Sequence, residues 1–335
     1  MNNQFRTKIP SSLKDALITH DSVVLSIGSC FSSNIGRRLS DLLYDVNINP
    51  FGVLYHPSTI ERTILYGLGV KKFTEEQLTL SQDIWYSWDH HGQYSNEDKG
   101  VLLSQISESI KALNVHLSKT TVCLITLGSA WGYEWVETGY LVANCHKHPG
   151  TKFQKRLISP VHIEASLQNI VRQLKAVNEN MTVIFTVSPV RHIKDGFVEN
   201  QLSKSSLILA VHKCISSHSN CWYFPAYEIM MDDLRDYRFY DRDMLHPNET
   251  AIGYIWGLFE EAYMSGAQRA TNQEIVEFRS AALHKPFHPH SQAHQQFVRA
   301  QVDRLSMFGE RHSEIDIQSL MDLFRSQLIN YDSQV

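Results

Sequence analysis

Long apolar runs are missing from this chain of 335 residues. No window approaches the roughly 18 uncharged apolar residues that a membrane-spanning helix needs, so no membrane span is expected. Residues 1–10 lack the apolar centre of a secretory leader, and a cytoplasmic protein is the simplest expectation. Cysteine is scarce too. Cys30, Cys123, Cys145, Cys214 and Cys221 are too few and too scattered for a disulfide framework, and reduced thiols are expected. Neither sign of charge dominates. A formal charge of -4, with no basic stripe interleaved with aromatics, leaves no electrostatic footprint for a nucleic-acid partner. With 43% hydrophobic and 20% charged residues, the composition excludes a disordered or fibrous chain.

What is present is an alternation of short β-branched runs with helical spacing. Strands are expected at about 22–28, 121–127, 182–187 and 222–224, with a strand-like alternation over 46–57 that ends in a loop punctuated by Pro50, Gly52 and Pro57, and helices at about 30–43, 59–68, 97–117, 160–179, 200–217, 226–236 and 249–264. Pro10-Ser11-Ser12 opens a short helical stretch, and Ser58 is placed to cap the helix at 59–68. Residues 70–100 form a polar insertion, 130–150 hold aromatics and a loop, and the tail from 268 onward is helical and charged. Strands separated by helices of this length form a parallel sheet covered on both faces, an α/β/α sandwich with right-handed crossovers. The expected division is a unit at 1–265 and a helical C-terminal extension at 266–335. In such sheets the site lies beyond the carboxyl ends of the strands. Ser29, Gly52, Gly128-Ser129 and Ser188-Pro189 all fall there.

The run 23–28 breaks at Gly28-Ser29 and restarts with Phe31, Ile35 and Leu39 at helical spacing. A serine on such a strand–turn–helix stands beside free amides at a helix start, where negative charge is favoured. It can be a nucleophile or simply the helix N-cap. A serine hydroxyl attacks only with a base in reach, itself oriented by a third group. Asp243 and His246, three residues apart in the loop before the last strand-domain helix, supply an imidazole and a carboxylate together. The same pair can also be a solvated loop with a capping acid.

Gly28-Ser29-Cys30-Phe31 with Asn34-Ile35-Gly36, then 49–55, then Ser188-Pro189-Val190 and 243–247 resemble the GSCFA-domain family, over about residues 20–260. That family looks like a branch of the SGNH/GDSL-type hydrolases. The resemblance implies a flavodoxin-like sandwich with Ser29 as nucleophile, His246 as general base and Asp243 as its orienting carboxylate. It implies an oxyanion hole from the Ser29 amide, Gly52 in the second block and a polar side chain in the third. There the usual asparagine is absent. Gly128-Ser129-Ala130-Trp131 stands in its place, so either the Ser129 hydroxyl or Asn144 from the next loop takes the role. The implied activity is that of an esterase, deacylase or O-acyltransferase working on an oxygen ester, such as that of a small molecule or glycan, without a cofactor.

Seventeen histidines are more than chance supplies. His146 and His148 flank Lys147, and His192 follows a strand-end loop, so His148 and His192 are expected to touch substrate. His90-His91 lies in the insertion. His284, His288, His290 and His294 could hold a metal, but Pro286 and Pro289 make that stretch an irregular linker, and no metal is assigned. Cys30 is expected to turn its side chain into the core. Two other functions stay open: a non-catalytic glycan- or partner-binding module on the same fold, and a metal-dependent hydrolase using the tail histidines.

Overall fold

The computed structural model describes residues 7–9 and 17–329. The helical stretch expected from Pro10-Ser11-Ser12 lies outside the described residues. The chain opens with β1 (Val23–Gly28), α1 (Cys30–Asp41), β2 (Asp45–Ile48) and α2 (Pro57–Gly67). Three short strands, β3 (Leu78–Ser81), β4 (Ile84–Ser87) and β5 (Ser95–Asn96), precede α3 (Lys99–Leu117) and β6 (Val122–Leu127). A second short group follows: β7 (Trp131–Trp135), β8 (Tyr140–Val142) and β9 (Phe153–Leu157). Then come α4 (Pro160–Val177), β10 (Thr182–Val187), α5 (Phe197–Ile215) and β11 (Cys221–Phe224). The chain continues through α6 (Ala226–Glu228), α7 (Glu249–Tyr263), α8 (Gly266–Leu283), α9 (Gln292–Arg311) and α10 (Gln318–Arg325).

The main sheet is parallel throughout, in the order β2-β1-β6-β10-β11. Its three inner strands are apolar runs because both faces are covered. Successive residues alternate between two cores. Val24, Val122, Leu124 and Ile184 face α1, α7 and the C-terminal helices, where Phe31, Phe259, Phe278, Phe308 and Phe324 are buried. Leu25, Ile27, Cys123, Ile125 and Phe185 face α2, α3, α4 and α5. Fully burying each such side chain stabilises the fold by about 1.5–3 kcal/mol. The order is the flavodoxin-like one, and it reverses direction between β1 and β6, which opens a crevice at their carboxyl ends. Ser29 and Gly128-Ser129 leave the sheet on either side of that crevice.

Two antiparallel sheets, β3-β4-β5 and β8-β7-β9, occupy the regions expected to be an insertion and a loop. Strands of two to five residues with mixed polarity carry too little periodicity to be recognised. The sheets meet through Trp88 against Trp135, ring centroids 4.9 Å apart, and the Ala143 amide donates to the Trp88 carbonyl at 2.7 Å. Below them Asp89, 4% exposed, pairs with Arg62 of α2 at 2.9 Å and accepts from the Tyr66 and Tyr140 hydroxyls at 2.7 and 2.6 Å. Burial pushes the Asp89 carboxyl up, but Arg62 and the two hydroxyls outweigh it and hold it below its usual value. This network bolts both small sheets to α2.

Three expectations need correction. The cap of α2 is His56, whose Nδ1 accepts the Ser58 amide at 3.2 Å, because Pro57 already occupies the first helical position. The helix expected at 226–236 is a single α turn, followed by a π turn at Ile229–Asp233. The Cys30 side chain is exposed, since Phe31 and Ser32 take the inward face of α1.

Candidate active site

The turn at Ser29 is shaped by its neighbours. Gly28 has φ +137°, and a Cβ there would stand 2.1 Å from the Thr126 carbonyl oxygen, so only glycine fits. Asn49 straps the turn: its Oδ1 accepts the Gly28 amide and its Nδ2 donates to Ser33 Oγ, both at 2.8 Å. Ser29 is 5% exposed. Its Oγ accepts the Phe31 amide at 3.2 Å, and its own amide donates to the Thr126 carbonyl at 3.0 Å.

Asp243 and His246 meet in one tight loop. His246 Nδ1 lies 2.5 Å from Asp243 Oδ2, and Asp243 Oδ1 accepts the Leu245 and His246 amides at 2.8 and 2.9 Å. The backbone and side-chain hydrogen bonds from His246, with that from the Leu245 amide, hold the Asp243 carboxyl down at about 2. Both side chains are about half exposed. The loop is closed by the Asp241 amide donating to the His246 carbonyl at 2.7 Å. Arg191, beyond the end of β10, donates to the Met244 carbonyl at 2.7 Å and lies 4.8 Å from the Tyr240 ring centroid, so it pins this loop to the rim of the sheet. Among the described residues, Ser29 and His246 form no hydrogen bond with each other.

One turn of α5 fastens the strand ends between them. Asn200 Oδ1 accepts the His192 amide at 2.9 Å, and Ser203 Oγ accepts the Ala130 amide at 2.7 Å. Lys204, wholly buried, donates to the carbonyls of Gly128 and Ser188, both at 2.8 Å. Burial brings its amine down to about 7. A neutral amine has two N–H donors, which matches the two carbonyls.

A cavity of about 450 Å³ opens beside Ser129, lined by Tyr55, Trp131, Tyr133, Asn144 and His192. Its size suits a small ligand. Tyr55 and His192 stack with centroids 5.4 Å apart. Burial, aided by Lys204 and His246, brings His192 down to about 4. Burial raises the Tyr55 hydroxyl, and Cys145, Asp195 and Cys30 push it further. His56, also on the lining, is held neutral by burial at about 3. Its Nδ1 accepts a proton donor, so Nε2 carries the ring hydrogen.

A family model described as the GSCFA family matches residues 23–259, from β1 into α7, with Ser29, Asp243 and His246 inside the match. The chain belongs to the GSCFA family. The GSCFA C-terminal domain matches residues 277–330, which hold the C-terminal end of α8 and all of α9 and α10. Comparison with curated proteins gives no match. Among solved structures, a family 3 carbohydrate esterase from Clostridium thermocellum is 12% identical, with 74% of this chain and 98% of that chain covered at a TM-score of 0.32.

In this GSCFA chain the residues singled out in sequence are distributed as follows. Asp243 and His246 are in contact, and Ser129, Asn144, His148 and His192 line one cavity, which Ser29 does not. Gly52 has φ +79° and its amide donates to the Asn49 carbonyl at 2.8 Å. The amides of Ser29 and Gly52 are therefore both already engaged. Ser129 Oγ accepts the Trp131 amide at 3.0 Å and lies 3.3 Å from Ser203 Oγ. Asn144 Oδ1 accepts the His146 amide at 2.8 Å, which turns Nδ2 toward Gly92. His284, His288, His290 and His294 lie in and beside the connection from α8 to α9, and among the described residues no group of three His, Cys, Asp or Glu side chains is placed to hold a metal ion. Sequence reasoning missed Asn49, Arg191, Asn200, Ser203 and Lys204. The asparagine stood in a quoted motif without a role, and Lys204 reads in sequence as a solvated helix charge.

Proposed function

We propose that this GSCFA protein is a serine acyl hydrolase or O-acyltransferase of the SGNH type, with residues 1–265 as the catalytic unit and 266–335 as a helical extension. Ser29 Oγ attacks the acyl carbon of an oxygen ester, and His246 Nε2 takes the hydroxyl proton. Asp243 holds the Nδ1–H and stabilises the imidazolium that forms. The single observation carrying this reading is the 2.5 Å contact of His246 Nδ1 with Asp243 Oδ2, in a loop pinned to the rim from which Ser29 emerges. Catalytic hydrogen bonds to the nucleophile commonly tighten only when substrate is bound. With the Ser29 and Gly52 amides engaged, the oxyanion falls to Ser129 Oγ and Asn144 Nδ2. The acyl-enzyme then passes its acyl group to water or to a hydroxyl of the acceptor. The cavity beside Ser129, with Tyr55, Trp131 and Tyr133 on its wall and one residue of each charge, Lys194 and Asp195, suits a polar, sugar-borne ester.

A fluorophosphonate probe tests the nucleophile. Peptide mapping is expected to place the mass shift on Ser29, with none in Ser29→Ala. A folded wild-type protein that takes no label would instead support a binding module on the same fold, a reading favoured by the engaged Ser29 hydroxyl and amide.

Burial holds His56 at about 3 and both His146 and His192 at about 4, so these rings are neutral through the working range. None of the three is therefore expected to add a step to log kcat/KM above about pH 5, and a profile whose shape there is changed by His192→Gln would mean that this ring titrates in that range. Arg191→Ala releases the Met244 carbonyl and is expected to lower kcat about 10²-fold by loosening the His246 loop, while Tm changes little and probe labelling slows in proportion.

A further inference from the structure

The cavity beside Ser129 has a neighbour. Asn144 and His148 line it and also line a second cavity of about 480 Å³, walled by the β3–β4 turn, by Tyr86 and Ser95 and by the loop at 144–149. The ridge between the two is thin. His91 faces the first cavity and Gly92 the second, and a Cβ at Gly92 would stand 3.6 Å from Asn144 Nδ2. His148 is fixed on that ridge by a 2.7 Å hydrogen bond between Nε2 and the Tyr86 hydroxyl and by Trp88 and Trp135, at 5.3 and 5.5 Å. His146 stacks on Tyr86 at 4.3 Å and its Nε2 donates to the Ser87 carbonyl at 2.8 Å.

The second wall is chemically specific. Ser81, Gln82, Ser95 and Asn144 supply hydroxyls and amides, Tyr86 supplies an aromatic surface, Lys147 supplies one further hydrogen-bond donor, and among the described residues no carboxylate lines it. An alkyl chain seated there would strip water from these groups without replacing their hydrogen bonds, which is costly. A sugar ring offers hydroxyls to the amides and a C–H face to the aromatic.

We propose that this second cavity is a subsite for the sugar unit next to the acylated one, so that the preferred substrate is an acylated oligosaccharide bound across both cavities. The inference rests on the esterase reading of Ser29. Binding energy from the remote unit is then used at the reacting centre.

The test uses the full chain with p-nitrophenyl acetate and with acetylated xylo-, cello- and chito-oligosaccharides from one sugar unit upward. For a series that is turned over, kcat/KM is expected to rise about tenfold or more from one unit to two. Ser81→Trp and Ser95→Trp, which each fill the second cavity, are expected to erase that gain while p-nitrophenyl acetate turnover stays at the wild-type level. Circular dichroism and Tm identify a misfolded variant, and either variant suffices. A chain-length-independent kcat/KM, a gain retained in the folded variants, or turnover of p-nitrophenyl acetate with no oligosaccharide accepted would each overturn the subsite. Absence of both ester turnover and Ser29 labelling would mark failure of the esterase reading itself.

Discussion

Ser29→Ala is expected to lower kcat/KM for a short acyl ester by at least about 10⁴-fold while the protein remains folded. The hydroxyl is the only group in the proposed mechanism that bonds to the acyl carbon, so its loss removes the covalent route. Its other task, capping α1 through the Phe31 amide, costs about 1 kcal/mol when removed. Activity and stability therefore separate: a large kinetic loss with a Tm drop of a few degrees. His246→Ala is expected to lose nearly as much, and the double variant no more than the worse single one, because the two groups act as a unit. A Ser29→Ala protein with full turnover would end the nucleophile assignment. A strictly additive double variant would end the pairing with His246.

Lys204→Met is expected to have the next largest effect, on two measurements at once. Methionine keeps the volume but leaves the Gly128 and Ser188 carbonyls without donors, a cost of about 2–4 kcal/mol for two buried unsatisfied groups. The loops after β6 and β10, which carry Ser129, Arg191 and His192, lose their common anchor. A fall in kcat of about 10²-fold is expected, with KM changing less. Lys204 is a positioning residue, and pH distinguishes it from mere packing. Burial lowers the folded amine from 10.5 to about 7. Between those values the unfolded chain binds the extra proton, so stability rises with pH across that window. Below about pH 7 the native state carries a buried charge and that increment is absent. The urea-midpoint gap between wild type and Lys204→Met is expected to be wider at pH 9 than at pH 6. A gap that does not change with pH would mean that the amine does not titrate in the fold.

The parts that could be read from the chain share one property: their signal is local. β1, β6 and β10 stood out because a strand covered on both faces must be apolar at every position. The turn at Gly28-Ser29 followed from a glycine between two periodicities, and the Asp243–His246 contact from a spacing that one loop can close. The short strands β3 to β5 and β7 to β9 did not stand out. They are held by partners far away in sequence, such as Asp89 with Arg62 and Trp88 with Trp135, and a two-residue strand has no period to detect.

The class of fold, the covering of both sheet faces and the strand-end placement of Ser29 thus follow from the order of residues alone, since each depends on neighbours within a few positions. The contents of the site do not. Asn200, Ser203 and Lys204 reach the rim because α5 crosses back over the ends of β6 and β10. The two cavities exist because the loop at 144–149 folds against the insertion. The engagement of the Ser29 amide likewise depends on the Thr126 carbonyl that the packed sheet presents to it, whereas the Gly52 amide is taken locally by Asn49, three residues back. Burial, in turn, sets the protonation of Lys204 and His192, and burial belongs to the assembled fold.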